Sequence, residues 1–408
     1  MNIHNRWFQL VASLIAMIMI ANLQYAWTLF VQPLQRGTGW KLSDIQYAFA
    51  LFILFQTWVQ PLDGWIVDRI GPRWFISVAG LLCGVGWAGM GYAKSLPMLY
   101  VLYCAAGIGA AFVYSGSIGS ALKWFKERRG LAAGIIAAGF GGGAGLFIPF
   151  ISWIIANRGY QAAFLSTGLF QGLAIVLVAQ VLRHPAQSTA APAPVAVRRA
   201  AEGPQLTTLE MLRRPQFYMM YVAFVMMSTG FLLATANLGP IARSWGLSAA
   251  AVTLAATFSP LANGTSRIFW GWASDKTGRE NAMVVAFLLN AVCLLAVLKL
   301  GQLSGAWFAF SLVLVYLTGG QIYSLFPATT GDYFGSKHGT SNYAVLYTAK
   351  GVSAFIGAWG GPLLYERFGN WDASFYGSAA LCVIAALMAF GLRASLAPPR
   401  EARVGVPA

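Results

Sequence analysis

The sequence predicts an all-α membrane protein whose twelve transmembrane helices form two pseudo-symmetric six-helix halves. Three observations carry that expectation. Only 10% of the 408 residues are charged and 58% are hydrophobic, whereas a soluble domain is about 25% charged. Apolar segments long enough to cross a hydrocarbon slab of about 30 Å recur along the whole chain. One loop pattern occurs twice, 207 residues apart, close to half the chain.

The first six segments lie near 8–32, 43–66, 73–93, 97–122, 130–156 and 161–182. The first carries polar Gln24 and Tyr25 midway and lacks a small-residue cleavage site, so it reads as a retained helix. The stretch 184–215 is basic and rich in Ala and Pro, a flexible linker. Six further segments lie near 216–241, 248–272, 281–300, 305–328, 341–365 and 371–393. The expected division is therefore 1–183 and 216–393 for the halves, 184–215 for a cytoplasmic linker and 394–408 for a cytoplasmic tail.

The repeat sits in the loops. GWIVDRIGPR after the second segment supplies Gly64, Asp68, Arg69, Gly71 and Arg73. GWASDKTGR after the eighth supplies Gly271, Asp275, Lys276, Gly278 and Arg279. RRG at 128–130 before a helix with Pro149 is echoed by KHG at 337–339 before a helix with Pro362. Parallel repeats of this kind put a substrate site at the midplane between halves.

The net charge of +15 is mostly a topology signal. With both termini cytoplasmic, 18 Lys and Arg fall on the inner side and 7 on the outer, of 27 in all. That orientation suits a multi-pass protein of the cell's inner (plasma) membrane and leaves no reason to invoke nucleic acid. The twelve acids are all expected in loops or at helix ends. Cys83, Cys104, Cys293 and Cys382 are far apart in apolar segments and read as packing residues. GFGGGAG at 139–145 reads as a close helix contact. Trp7, Trp40, Trp74, Trp124, Trp270, Trp272 and Trp371 sit near segment ends, as interfacial anchors do. The sequence offers no metal cluster, nucleophile–base pair or phosphate loop, so neither an enzyme nor a cofactor is expected.

Two of the 27 basic residues remain: Arg267, eight residues before Asp275, and Lys350, nine after Ser341. At about 1.5 Å per residue both lie roughly 12–14 Å from the same membrane face. A cation there costs at least about 2.5–3.5 kcal/mol, which marks a functional site. With no acid in these segments, each is expected to keep its desolvation cost until an anion enters. Arg brings a planar fork matched to a carboxylate and Lys a point charge. Set against this is snorkelling, or pairing with backbone carbonyls. Asn263 lies one turn before Arg267 on its face. Tyr343, Tyr347, Lys350, Ala354, Gly357 and Gly361 form one helical stripe.

The twin loops resemble the signature of the major facilitator superfamily, and the likeness covers the whole chain. It implies a twelve-helix secondary transporter in which Asp68 and Asp275 brace neighbouring helix ends in one of two alternating states, with Gly64, Arg69, Arg73, Gly271, Lys276 and Arg279 completing the gating loops. NRWFQLV (5–11), NLQYAWTLF (22–30), KWFKERRGLAAG (123–134), SRIFWGWASDKTGR (266–279), YSLFPATTGDYFG (323–335) and NYAVLYTAK (342–350) resemble the oxalate:formate antiporter family and, more distantly, the monocarboxylate transporters. That resemblance implies that Arg267 and Lys350 bind the carboxylate. It also implies that helices 1, 4, 7 and 10 line the cavity, which makes Gln24, Tyr25, Tyr114, Asn237, Gln321 and Tyr323 pocket candidates beside Asn263 and Tyr347. Where oxalate carriers have tryptophan this chain has Gly319 and Tyr347, implying a roomier pocket. Asn263 stands where proton-coupled monocarboxylate carriers hold an acid. The expected activity is exchange of small carboxylates by a monomer in the lipid bilayer, with proton-coupled lactate or pyruvate symport as the alternative.

Overall fold

A computed structural model of the chain describes residues 5–125, 129–183, 205–335 and 337–395. They form helices, and twelve long passes can be followed in chain order. The first pass is broken into Arg6–Met19, Ala21–Tyr25 and Trp27–Thr38. The second runs through Leu42–Trp58 and on past Gln60; Gln60–Met90 then turns at Gly71 into the third. The fourth is Leu96–Trp124, and the fifth is Arg129–Gly142 with a 3₁₀ turn at Gly143–Leu146. Ile148–Ala179 completes the fifth and turns at Gly159 into the sixth.

A capped surface turn, Thr208–Leu212, precedes the seventh pass, Pro215–Ser244. The eighth and ninth are Ala249–Thr277 and Arg279–Leu300. The tenth is split into Gly305–Gly319 and Ile322–Phe334. The eleventh is the most broken: Gly339–Tyr347, Ala349–Ala354, a π turn at Phe355–Trp359, then Gly360–Phe368. Asp372–Ser395 is the twelfth.

By length and composition, nine stretches of the described residues suffice to cross a membrane, and one of them, Ala132–Ala179, holds both the fifth and sixth passes. The two passes outside that set, the eighth and eleventh, are the two that carry Arg267 and Lys350.

The repeated loops match in backbone as well as in sequence. Gly71 has φ 76° and ψ 160°, and Gly278 has φ 88° and ψ 150°. Only glycine enters that region cheaply, so the two loops turn alike because each places a glycine at the same point of the pattern.

Packing corrects three expectations. The acids do not all lie in loops or at helix ends: Asp63 is fully buried and accepts a hydrogen bond from the Ser115 hydroxyl at 2.6 Å. The helix continues to the turn at Gly71, so Asp63 sits two turns inside its end. Trp270 and Trp371 are not interfacial anchors; both are buried, donating to the Leu317 carbonyl and the Ser244 hydroxyl. Gly319 does not enlarge a pocket, since a Cβ there would lie 3.0 Å from the Phe231 ring and 3.1 Å from the Asn290 amide. The glycines of 139–145 do bring helices together: a Cβ on Gly143 would lie 3.1 Å from Ile18 of the first pass, and one on Gly145 would lie 2.9 Å from the Thr257 carbonyl of the eighth.

Candidate functional site

Five passes lose regular α geometry around one region: the first at Ile20 and Ala26, the second at Val59, the fifth at Gly143–Leu146, the tenth at Gly320 and Gln321, and the eleventh at Thr348 and Phe355–Trp359. Broken helices free backbone groups and re-aim side chains, and π turns recur at functional sites. The break in the first pass isolates Ala21–Tyr25, which carries Gln24 and Tyr25. The break in the tenth precedes Tyr323, and Tyr347 and Lys350 flank the break at Thr348.

Both cations are inside the bundle, Lys350 at 0% exposure and Arg267 at 6%. They meet over one ring. The Arg267 guanidinium carbon lies 4.6 Å from the Tyr323 ring centre, and Lys350 Nζ lies 5.6 Å from the same centre. Phe140 and Tyr347 add further faces to Lys350 at 5.6 and 5.4 Å. Such contacts stabilise a desolvated cation by about 2 kcal/mol. Among the described residues neither cation forms an ion pair with a carboxylate.

The two are satisfied unequally. Lys350 Nζ donates to Gln24 Oε1 at 2.9 Å, to Gln56 Oε1 at 2.9 Å and to the Tyr347 hydroxyl at 3.3 Å. An ammonium has three donors, so all are used. This corrects the expectation that Lys350 keeps its full desolvation cost until an anion arrives, because amide oxygens from the first and second passes bear part of it. Arg267 donates to the Ala137 carbonyl at 2.9 Å, so the backbone pairing set against a functional role exists in part. Its Nε, however, is buried with no partner. The Tyr25 and Tyr114 hydroxyls stand beside its guanidinium.

The remaining expected residues divide. Asn263 donates to the Tyr25 hydroxyl at 2.8 Å and so fixes that ring beside Arg267. Tyr114 stacks on Tyr347 at 5.9 Å, and Tyr347 meets Tyr323 edge-on at 6.1 Å. The Tyr323 hydroxyl and both Gln321 amide atoms are buried without partners, although Gln321 hydrogen-bonds to neither cation. Asn237 serves structure instead: it donates to the Leu233 and Ala358 carbonyls and ties the seventh pass to the eleventh. Gln56 and Phe140 belong to the site in addition to the residues expected from the sequence. Gln56 carried the usable signal, a lone amide in the apolar run FILFQTW.

Contacts between early and late passes surround this centre. At the end bearing the loops near 40 and 370, Glu366 accepts from the Ser43 amide and hydroxyl, both at 2.9 Å. Gln46 donates to the Ala236 carbonyl at 2.7 Å, and the Gly239 amide donates to the Thr28 hydroxyl at 2.6 Å. Deeper, Trp58 donates to the Thr348 carbonyl at 3.1 Å. Of the gating loops, Asp275 pairs with Arg279 of its own loop at 2.6 Å, and Arg279 reaches Asp332 on the tenth pass at 3.1 Å. Arg73 plays a similar part in the first loop, donating to Gln180 at 2.7 Å. Arg69 is exposed, Lys276 lies 4.2 Å from the Trp272 ring, and a Cβ on Gly271 would meet little, its nearest neighbour being Ser324 at 4.0 Å. The side chain of Asp68 lies outside what the structure describes, and Gly64 falls within the helical stretch Gln60–Met90.

The family model for the Major Facilitator Superfamily matches residues 12–239 and again 220–408. The chain belongs to the Major Facilitator Superfamily. It is a multi-pass membrane protein with the twelve-helix architecture of that family. It is 38% identical over 399 residues to the oxalate:formate antiporter of Oxalobacter formigenes, covering 98% of this chain and 93% of that protein. Monocarboxylate transporter 12-B of Danio rerio is more distant, at 24% identity over 87% of this chain and 79% of its own length. Among solved structures, a D-xylose-proton symporter superposes with a TM-score of 0.76 at 14% identity, covering 95% of this chain and 97% of that one, a likeness of fold. These relatives are transporters, not enzymes.

Proposed function

We propose that this protein carries small carboxylates across the bilayer, oxalate and formate among them, mainly by exchanging one anion for another through alternating access. The observation that supports it most is the pair of buried cations converging on Tyr323 with no carboxylate between them among the described residues. Arg267 is the primary anion contact, because its Nε has no protein partner. The amide nitrogens of Gln24 and Gln56 are likewise unspent, since both amides give their oxygens to Lys350. A carboxylate brought to this point finds a guanidinium edge, amide donors and tyrosine hydroxyls, and its charge offsets the two cations.

In this reading the halves 1–183 and 216–393 rock about the site, the linker 184–215 and both termini are cytoplasmic, and a monomer in the inner membrane suffices. Anion exchange follows because a bound carboxylate lowers the cost of enclosing Arg267. The test is reconstitution into vesicles with radiolabelled oxalate or formate. Wild-type protein is expected to exchange label for internal carboxylate, and Arg267→Gln or Lys350→Gln to abolish exchange while the folded protein remains extractable. Wild-type rates in both variants would remove them from the site.

One observation favours the second reading, proton-coupled symport. Asp63 is a buried carboxyl group, and its Oδ1 has no partner. Uptake driven by an inward proton gradient without internal carboxylate, and lost in Asp63→Asn, would establish symport in place of exchange.

A further inference from the structure

Lys350 belongs to the eleventh pass, whereas Gln24 and Gln56 belong to the first and second. The two short bonds to its ammonium therefore cross between the early and late passes, and with Tyr347 they fill its donors. Both amides are held in place by burial, at 0% and 1% exposure. A carboxylate in either position would neutralise Lys350 and leave only the charge of Arg267 for a substrate. A hydrophobic residue would leave a buried ammonium with a lost partner, at a severe cost. An amide does something between: its oxygen accepts the charge-assisted bond but supplies no counter-charge.

We infer that Gln24 and Gln56 set the tightness of coupling, acting as neutral stand-ins for the substrate carboxylate at Lys350. The inference rests on the carboxylate-exchange reading above. With the clamp made, closure around Lys350 needs no anion; Arg267, with its unpartnered Nε, is the group that still calls for one. The carrier is thus an exchanger with a built-in leak: slow return of the anion-free form gives net transport beside faster exchange. The residues are positioning groups for the coupling, and their signature is the ratio of exchange to net flux, which a purely structural role does not move selectively.

The experiment measures radiolabelled oxalate uptake into vesicles loaded with oxalate and into vesicles without it, for wild type, Gln56→Ala, Gln24→Ala and Gln56→Glu. Removing one acceptor is expected to slow net flux roughly tenfold more than exchange, since a buried charged hydrogen bond is lost only when no anion replaces it. Gln56→Glu is expected to act oppositely, weakening oxalate exchange while net flux persists, so the ratio approaches unity. The two directions guard against misfolding, because a damaged protein loses both fluxes together, and Gln24→Ala repeats the test at a second site. An unchanged ratio in all three variants, with wild-type exchange intact, overturns the inference and leaves the carboxylate-exchange reading standing. Absence of oxalate exchange in wild type overturns that reading itself.

Discussion

The closed arrangement around Lys350 depends on a glycine one residue further on. A Cβ on Gly351 would lie 2.7 Å from the Thr57 hydroxyl and 2.9 Å from Trp58 Cδ1 and Nε1, all on the second pass. Thr57 is fully buried and its hydroxyl is committed to the Ile53 carbonyl at 2.9 Å, so it has nowhere to retreat. Trp58 is half-exposed and can swing away, but only by giving up its bond to the Thr348 carbonyl. That bond contributes about 1 kcal/mol, and forcing a methyl into a fitted contact costs about 1–3 kcal/mol. Gly351→Ala should therefore disfavour closure by at least about 2 kcal/mol, roughly thirtyfold in population. The assay is maleimide labelling of a cysteine introduced at Ser353, in a background without the native cysteines, together with oxalate exchange. Faster labelling and slower exchange are expected from a protein that still elutes as a single species. Wild-type labelling and wild-type exchange together would refute the argument that these two passes meet when the site closes.

Three further outcomes follow from the same structure. Glu366→Gln removes the negative charge that accepts from Ser43 at the start of a helix, a position where a carboxylate gains about 0.3–1 kcal/mol from the helix dipole; the end bearing the loops near 40 and 370 should open more often, seen as faster labelling of a cysteine placed at Tyr47. Tyr323→Phe keeps the ring shared by the cations, while Tyr323→Leu removes it; carboxylate affinity measured by titration should change little in the first and fall by about 1–2 kcal/mol in the second. On the surface, the Glu210 carboxylate is held below the usual range, first by the Thr207 backbone amide. A depressed folded value means stabilisation that is present above the unfolded value and lost as pH falls through the folded one. Protection of amides 207–212 against hydrogen exchange, taken relative to the intrinsic rate at each pH, should therefore fall only below the ordinary carboxylate range, and Glu210→Gln should weaken this pH response.

Much of this is legible in the sequence, and the reason is physical. A charge in a segment that must cross hydrocarbon has few explanations, so Arg267 and Lys350 identified themselves, and the tyrosines and Gln24 stood out against apolar neighbours. What surrounds each charge was less legible, because it depends on which atoms tertiary packing presents. Lys350 finds amide oxygens from two distant segments. Asn237 finds two carbonyls and leaves the site. Asp63 reads as a helix-end residue because the apolar run of the second pass stops close to it, whereas the helix runs on to Gly71. The break at Ala26 coincides with no proline or glycine, so the sequence pattern does not announce it. That at Gly320 falls on a Gly-Gly pair, and that at Phe355–Trp359 contains Ala358, four residues before Pro362, whose missing N–H frees the Ala358 carbonyl to accept from Asn237.

The central claim is that two cations enclosed by the bundle recognise a carboxylate by its charge. Thermal unfolding with formate and oxalate, beside their neutral amides formamide and oxamide, tests it most directly. At 100 times its dissociation constant an anion should stabilise the wild type by about 2.7 kcal/mol, the amides should do nothing, and Arg267→Gln should lose the response. Equal stabilisation by the amides, or an undiminished response in a variant lacking both Arg267 and Lys350, would contradict it.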